Sequence, residues 1–192
     1  PADNPFMGAG TQPCALTGQS ANGQPCQEIY ATGLRNPFRF AFDPNADGDR
    51  FYINDVGGSK WEEIDLGKAG ADYGWNVREG FCKTGTTDHC HGSKQFQDPI
   101  FAYPHARTGC EAITGGAFVP NGNGWGPRYE GGYLYADYIC GKIFFLGKHG
   151  RKYKGKPFAT GADGVVDLRF SPDGSSLYYT LLNGQIRKIT LD

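Results

Sequence analysis

The stretch Phe38-Arg39-Phe40-Ala41-Phe42 decides the fold of this 192-residue chain. Phenylalanine occupies every second position, which is the spacing of side chains on one face of a β-strand. The next residues, 43–48 (DPNADG), are turn formers, and Phe51-Tyr52-Ile53 then restores an apolar, β-prone run. The pattern predicts a β-hairpin.

A second hairpin pattern lies near the end of the chain. Residues 168–174 (LRFSPDG) lead into 177–180 (LYYT), and Gly184 turns the chain into 186–189 (IRKI). The order of alternating strand, Pro-containing turn and aromatic strand is the same as in the first hairpin. The chain therefore contains an internal repeat.

The spacing of the repeats identifies their architecture. Pro44 and Pro172 hold matching places 128 residues apart, about three periods of 40–45 residues, and a weaker copy lies between them at 117–119 and 133–135. Repeats of this length with four short strands are typical of β-propeller blades. A β-sandwich with similar hairpins is the alternative.

The composition agrees with an all-β fold. The chain has 30 Gly, 12 Pro, 13 Phe, 11 Tyr and 3 Trp, and Gly and Pro disfavour helix interiors. Three blades do not close a ring, so we expect further blades from the parent chain, a companion chain or a dimer mate. We expect one partial domain over 1–192, with a disulfide loop at 1–26, blades at 28–75, 111–150 and 157–192, and a long loop at 76–110.

Charge and hydropathy exclude some functions. The net charge is −1, and no run approaches the roughly 18 apolar residues of a membrane helix. We therefore predict neither a nucleic-acid partner nor a membrane span. One loose basic cluster remains, which is either a solvated loop or a polyanion site: Lys148, Arg151, Lys152, Lys154 and Lys156.

Six cysteines in loop-rich surroundings predict three disulfides and an oxidising compartment. Fifteen connectivities are possible. We favour the pairs that staple the long loops: Cys14–Cys26, Cys82–Cys90 and Cys110–Cys140. Residues 88–91 (DHCH) also allow a metal site, but a disulfide flanked by surface histidines is favoured. Residues 43–48 mimic the start of an EF-hand loop, although strands flank them and a hairpin turn is the better interpretation.

A set of motifs in one order carries a family resemblance: residues 3–6 (DNPF), 33–37 (GLRNP), 55–57 (DVG), 61–64 (WEEI), 72–75 (DYGW) and 113–116 (ITGG). Over residues 1 to about 190 the chain resembles the C-terminal half of the glucose/sorbosone dehydrogenase family. These are six-bladed propellers that include soluble aldose dehydrogenases using pyrroloquinoline quinone (PQQ) and calcium. The related hedgehog-interacting proteins share the propeller without known redox chemistry.

The resemblance implies a cofactor site. Arg35 matches the family arginine that stabilises the reacting substrate and cofactor, and Asn36 matches an asparagine that contacts the quinone. A planar guanidinium suits a developing oxyanion or a quinone carboxylate. Gly57 and Gly58 match the carbonyls that hold the calcium bridging to the cofactor, with Pro usual at 58. Hydrogen bonding of Arg35 to turn carbonyls is the structural alternative.

The resemblance also implies a second, structural calcium site. Glu63 matches a carboxylate ligand and Tyr73 a backbone ligand of that site, and Glu79 is a candidate extra ligand. Calcium takes six to eight oxygen ligands, which a Gly-rich loop and carboxylates supply. Carboxylates that cap a turn are the alternative interpretation.

Several family positions are not matched. The family's catalytic histidine lies in an earlier blade, outside this chain. A cofactor-binding Lys aligns near Ile139, and two Arg align near Gly164 and Val166. Losing three cationic contacts would weaken quinone binding by several kcal/mol at about 1.5–3 kcal/mol each. His105 is the histidine within the chain that we select as a candidate catalytic base, against a surface-loop role.

Two functions follow from these patterns. The first is a secreted or periplasmic sugar dehydrogenase that oxidises an aldose or sorbosone at C1 and passes the hydride to PQQ. The second is a non-catalytic extracellular propeller that holds calcium and binds a glycan or a protein. The Arg35 motif favours the first function, and the unmatched cationic positions favour the second.

Overall fold

The computed structural model describes residues 4–14, 24–88 and 90–191, apart from the side chain of Arg107. Its elements in chain order are β1 (Pro37–Phe42), β2 (Phe51–Asp55), β3 (Trp61–Leu66), β4 (Arg78–Glu79), β5 (Cys82–Lys83), β6 (Phe101–Pro104), α1 (His105–Thr108), β7 (Ile113–Phe118), β8 (Tyr133–Asp137), β9 (Lys142–His149), β10 (Lys152–Thr160), β11 (Val165–Phe170), β12 (Leu177–Leu181) and β13 (Ile186–Ile189). Strands dominate, as the composition predicts.

The first sheet, blade A, consists of β1, β2, β3 and β6 in that order, and neighbouring strands are antiparallel. The predicted hairpin forms its first two strands, with Phe42 opposite Phe51. In its turn, Asp43 Oδ1 accepts the backbone N–H of Asn45 at 2.9 Å. Residues 43–48 are thus a hairpin turn between strands, which confirms that interpretation over an EF-hand loop.

Two further sheets follow along the chain. Blade B contains β7, β8, β9 and β10 in chain order, each paired antiparallel with the next. Blade C contains β11, β12 and β13, and within the described residues it has three strands rather than four. The first strands of the three blades, β1, β7 and β11, lie side by side. This is the arrangement of successive propeller blades around an axis.

The core lies between the blades. Tyr52 and Ile64 of blade A pack with Phe118 and Tyr133 of blade B, and the rings of Tyr52 and Phe118 are 4.7 Å apart. A second cluster joins blades B and C through the buried residues Leu134, Ile143, Leu168 and Leu177. Each blade therefore buries a face against its neighbour, because a single sheet cannot bury its own apolar face.

Two blade boundaries differ from the predicted segments. Strand β6 is the fourth strand of blade A, yet it lies inside segment 76–110, which we predicted as a long loop. Strand β10 extends blade B to Thr160, beyond the predicted end at 150 and into the segment assigned to the third blade. Both are outer strands of their blades, and in β10 three exposed lysines and a glycine obscure the apolar pattern of a strand.

The three predicted disulfides are present: Cys14–Cys26, Cys82–Cys90 and Cys110–Cys140. The first two close loops of 12 and 8 residues in sequence separation. The third spans 30 residues and ties the segment after α1 to the end of β8. No cysteine of the described residues is free. None of the helices described is long and apolar enough to cross a membrane.

Candidate functional site

The Arg35-Asn36 motif is held by one carboxylate at the end of β2. Asp55 Oδ2 accepts the backbone N–H of Arg35 at 2.9 Å, and Oδ1 accepts that of Asn36 at 2.6 Å. Arg35 Nη1 donates to the carbonyl of Val56 at 3.0 Å. The segment before β1 and the segment after β2 are therefore joined, so that Arg35 is fixed beside the loop that begins at Gly57.

Glu79 holds that loop through hydrogen bonds to its backbone. Its Oε1 accepts N–H groups of four successive residues at 2.7–3.1 Å: Gly58, Ser59, Lys60 and Trp61. Burial would raise the pKa of Glu79, but the N–H donors of Lys60, Ser59 and Trp61 outweigh it and hold the pKa below its ordinary value. Glu79 therefore anchors the loop as an anion. Its role as a metal ligand stays a prediction.

The two glycines of the loop are closely surrounded. A Cβ at Gly57 would lie 1.5 Å from the carbonyl oxygen of Trp61, so no other residue fits there. A Cβ at Gly58 would lie 3.4 Å from Arg35 Nε and 3.2 Å from Trp75. The Arg35 guanidinium lies 5.5 Å from the centre of the Trp75 ring, within cation–π range. The structure thus brings Arg35 and Gly58 together, with Asn36 adjoining.

A buried cluster of three carboxylates lies on the strands behind this loop. Asp55, Glu63 and Asp65 each offer an oxygen within 4.8 Å of the others. Asp55 is opposite Glu63 in the β2–β3 ladder, and Asp65 follows Glu63 by two residues, so all three share one face of blade A. The register of the β2–β3 pair therefore brings the three carboxylates together.

Asp65 has no hydrogen-bond partner for either carboxylate oxygen among the described residues, although it is 1% exposed. Asp137, which is also buried, differs: its Oδ2 accepts Tyr103 Oη–H at 2.6 Å, and its Oδ1 accepts the Cys140 N–H at 3.1 Å. Buried carboxylates are normally satisfied in this way. Both carboxylate oxygens of Asp65 are therefore without a protein partner among the described residues and are available to a ligand.

Burial raises the pKa of all three clustered carboxyls, and repulsion from neighbouring carboxylates adds to the rise for Glu63 and Asp65. Desolvation is the main cause for each, and it raises the pKa of Glu63 to about 8 with a contribution from Asp55. The pKa of Asp65 is far above its ordinary value, with Glu63 as the second cause. The pKa of Asp55 is raised less, because the N–H groups of Arg35 and Asn36 stabilise its anion. A divalent cation would remove this repulsion.

Tyr73, the predicted backbone ligand, lies beside the cluster. Its hydroxyl donates to the Leu66 carbonyl at 2.6 Å, and its ring packs with Ile53 under the 67–75 loop. Asp65 is among the charges that act on the Tyr73 hydroxyl, whose pKa burial raises to about 12. The prediction of Glu63 and Tyr73 as ligands remains consistent with this placement.

Sequence reasoning did not identify Asp55 and Asp65 as candidate ligands. Asp55 was noted only as part of a motif, and Asp65 was not singled out. The signal was available, since acidic residues at alternate positions of β3 opposite an acidic strand end are unusual on a covered face. What was missing is the register, which decides that the three carboxylates face each other.

His105, our candidate catalytic base, is bound to a second buried carboxylate. Its Nε2 lies 2.7 Å from Glu62 Oε1, and Glu62 Oε2 accepts the Ile113 N–H of blade B at 2.8 Å. Burial raises the pKa of Glu62 to about 7. The His105 side chain is only 13% exposed, so it is not the surface-loop histidine of the alternative interpretation. Glu62 rather than His105 makes the contact with blade B, and the catalytic role of His105 stays a prediction.

The metal alternative at residues 88–91 has lost its sulfur ligand. Cys90 is bonded to Cys82, and a disulfide sulfur does not act as a thiolate ligand. His89 lies outside the described residues. The other two groupings of potential ligands in the described chain each contain a disulfide pair, Cys14–Cys26 and Cys110–Cys140. The carboxylate cluster is therefore the candidate metal centre.

Comparison with solved structures confirms the fold class, a β-propeller. A glucose dehydrogenase structure aligns with a TM-score of 0.72 and 20% identity, covering 100% of this chain and 51% of that one. The PQQ-bound form of Aldose Sugar Dehydrogenase from Streptomyces coelicolor aligns at a TM-score of 0.61 and 20% identity, covering 90% of this chain and 46% of that one. Three blades amount to about half of these propellers.

Sequence comparison gives the family. The Glucose / Sorbosone dehydrogenase model matches residues 1–180, and the chain belongs to this family. HIPL2 protein from Arabidopsis thaliana is 34% identical over 145 residues, which cover 71% of this chain and 18% of that protein. The chain thus spans less than a fifth of that relative. The resemblance inferred from the motifs is confirmed.

Proposed function

We propose that the protein is a calcium-dependent sugar dehydrogenase, to which this chain contributes three blades, the metal centre and one wall of the substrate site. The observation that carries the proposal is the unpaired, buried carboxylate of Asp65 beside Asp55 and Glu63, directly behind the Arg35 loop. A metal there would fix Asp55, and Asp55 in turn holds the backbone of Arg35.

Calcium fits the residues of this centre. Three carboxylates offer up to six hard oxygen donors, and flexible oxygen-rich sites of this kind suit calcium better than magnesium. No His Nε2 or Nδ1 and no free Cys Sγ of the described residues joins the group, so a transition metal is less well matched. The ion would act on folding and on the position of the loop, because it binds the native arrangement only.

Arg35 would act on the substrate side. One of its guanidinium nitrogens holds the Val56 carbonyl, and the ring of Trp75 supports the group. Its remaining N–H groups are available to an anionic or developing negative oxygen, where a fixed cation stabilises charge that forms during oxidation of a sugar at C1. In the family PQQ is the hydride acceptor, and that is the chemistry it would supply here.

The fit of this chain to PQQ is limited, which keeps a second function open. Where the family carries a Lys and two Arg toward the quinone, this chain has Ile139, Gly164 and Val166. Ile139 is 56% exposed and cannot contribute a charge. This observation favours a non-catalytic, calcium-stabilised propeller that binds a glycan or a protein. We accordingly derive no reaction step through the quinone.

The test is reconstitution of the full-length protein with calcium and PQQ, followed by dye reduction with a panel of aldoses and sorbosone. We expect activity that Arg35→Ala abolishes and that Asp65→Asn reduces through loss of calcium. The matched control is Arg151→Ala, an exposed arginine outside this site and outside the lining of the cleft described below. Calcium binding without dye reduction by any sugar would support the non-catalytic function instead.

The disulfides support a proposal about the compartment. Three bonds in a chain of 192 residues are typical of secreted or periplasmic proteins, since cytosolic thiols are kept reduced. We propose that the protein works outside the cytoplasm, where calcium is abundant enough to fill the carboxylate site. The remaining blades of the ring would come from the parent chain, a companion chain or a dimer mate.

A further inference from the structure

We propose a second binding site, for an anionic oligosaccharide bearing carboxylate or sulfate groups, in a basic cleft between blades A and B. The cleft has a volume of about 530 Å³ and shares no residue with the Arg35 loop or the carboxylate cluster. Five cations line it: Arg50, Arg128, Lys148, Lys154 and Lys156. Three of them belong to the basic cluster noted in the sequence.

The cations of the cleft are mostly uncompensated. Arg50 forms an ion pair with Asp43. Among the described residues no carboxylate pairs with Arg128, Lys148, Lys154 or Lys156, and Glu130 is the acidic residue of the lining. Like charges gathered in a concave surface raise the local concentration of anions. The cleft is therefore built to attract negative charge.

Aromatic rings form the wall beneath these charges. Tyr52 and Tyr153 meet hydroxyl to hydroxyl at 3.0 Å, so the two blades are joined across the cleft. Arg50 lies 5.6 Å from the ring centre of Phe118, and Lys148 lies 5.9 Å from that of Tyr153. Tyr52 and Phe118 are buried beneath the cations, whereas the ring of Tyr153 is partly exposed and offers an apolar surface next to Lys148. A sugar ring with an acidic substituent matches both features.

The charge of the rest of the chain argues against an extended polyanion. The whole chain has 19 basic and 20 acidic residues, and five of the basic ones but only one acidic one line the cleft. The rest of the chain, with 14 basic and 19 acidic residues, is net negative. Duplex nucleic acid needs a basic surface that continues along its backbone, whereas the excess of basic over acidic residues is confined to the cleft. A short anionic chain that ends within the cleft avoids this repulsion.

The experiment measures binding of three hexasaccharides to the full-length protein by calorimetry. The probes are a sulfated heparin fragment, carboxylated oligogalacturonate and neutral maltohexaose. We expect at least one anionic probe to bind, with a dissociation constant that rises about tenfold from 50 to 300 mM NaCl because exposed charges are screened. Maltohexaose should not bind in this cleft.

Matched variants locate the site. Lys154→Gln with Lys156→Gln should weaken binding of the anionic probe about tenfold, whereas Lys94→Gln with Lys188→Gln should change it less than about twofold. Lys154→Arg with Lys156→Arg should retain binding, and this variant separates loss of charge from misfolding.

Equal weakening by both Gln pairs, or tighter binding of a 12-base-pair DNA duplex than of either anionic sugar, would overturn the proposal. So would the absence of binding by both anionic probes. Calcium and sugar oxidation are not measured, so the outcome is independent of the proposed function.

Discussion

The two faces of blade A differ in what covers them. The face toward blade B is closed by side chains: Ile64 is fully buried and Tyr52 packs on the rings of blade B. The opposite face carries the carboxylate cluster under the 67–75 loop, while Phe40 and Phe42 at its edge are 54% and 56% exposed. Successive side chains of a strand point to opposite faces of the sheet, so the core residues lie on one face of blade A and the carboxylate cluster lies on the other.

Buried polar groups sharpen the contrast between the faces. On the side of blade B, Asn54 donates through Nδ2 to the carbonyls of Thr114 and Gly115 at 2.7 and 3.0 Å, and its Oδ1 accepts the Tyr133 hydroxyl at 3.0 Å. On the other face Asp65 has no partner among the described residues. On the side of blade B the polar groups are satisfied, whereas on the other face the Asp65 oxygens lack a partner and Phe40 and Phe42 are exposed.

The largest expected effect comes from Ile64, on the face of blade A that blade B covers. We call this the closed face, and we call the opposite face, which carries the carboxylate cluster, the open face. Ile64→Ala should lower the free energy of unfolding by about 3–4 kcal/mol, because it leaves a cavity among residues with no room to relax. Phe42→Ala, on the open face, should cost less than about 1 kcal/mol in the 192-residue chain. Urea titration of both variants tests the comparison. Equal losses would mean that the two faces are packed alike.

A longer version of the protein makes the same comparison sharper. If further blades cover Phe40 and Phe42, the cost of Phe42→Ala should rise toward that of Ile64→Ala when the full-length protein is titrated. An unchanged, small cost in the full-length protein would show that this aromatic face stays open to solvent.

The second effect concerns the disulfide that joins the blades. Replacing Cys110 and Cys140 by Ala should cost about 3.5 kcal/mol, since the closed loop is the longest of the three by the chain-entropy estimate. Replacing Cys14 and Cys26 should cost about 3 kcal/mol by the same estimate. Thermal unfolding measures both. A larger loss from the Cys14–Cys26 pair would contradict the ranking, as would reactive thiol in the unfolded, unreduced protein.

Calcium is expected to act on the open face alone. At a hundredfold excess over its dissociation constant it should stabilise the protein by about 2.7 kcal/mol. Asp65→Asn should remove most of this gain, and Asp137→Asn serves as the control, because Asp137 is equally buried but fully hydrogen-bonded. Melting temperatures with calcium and with chelator measure the gain. A melting temperature indifferent to calcium would exclude an exchangeable ion here.

The part of this comparison that sequence could predict is the part set by local patterns. Alternation at Phe38–Phe42 and the turn at 43–48 determine the first hairpin, and loop positions of the cysteines led to the right pairs. Strand β6 was missed because it pairs with β3 across an intervening loop of more than thirty residues. Asp65 was missed because its significance depends on the register opposite Asp55, which no single segment contains.

The last expected effect is a dependence of stability on pH, to which carboxyls on both faces of blade A contribute. In calcium-free protein, burial raises the pKa of Glu63 to about 8, so the native state keeps a proton that the unfolded chain releases above about pH 4.5. The native state therefore binds more protons in this window, and the free energy of unfolding should fall as pH rises from about 4.5 to about 8. Glu62 lies on the face toward blade B and has a pKa raised to about 7, so it adds to this decrease in the free energy of unfolding.

Calcium and two variants separate these contributions. Calcium binds the deprotonated carboxylates, so millimolar calcium should weaken the decline that comes from Glu63 and leave that from Glu62 in place. Glu63→Gln should make the calcium-free decline shallower up to about pH 8, and Glu62→Gln should make it shallower up to about pH 7, while Asp65 continues to contribute in both variants. Urea titrations at half-unit pH steps give the profiles. A calcium-free stability that rises between pH 5 and 8 would mean that the carboxylate cluster is already ionised and compensated without a metal.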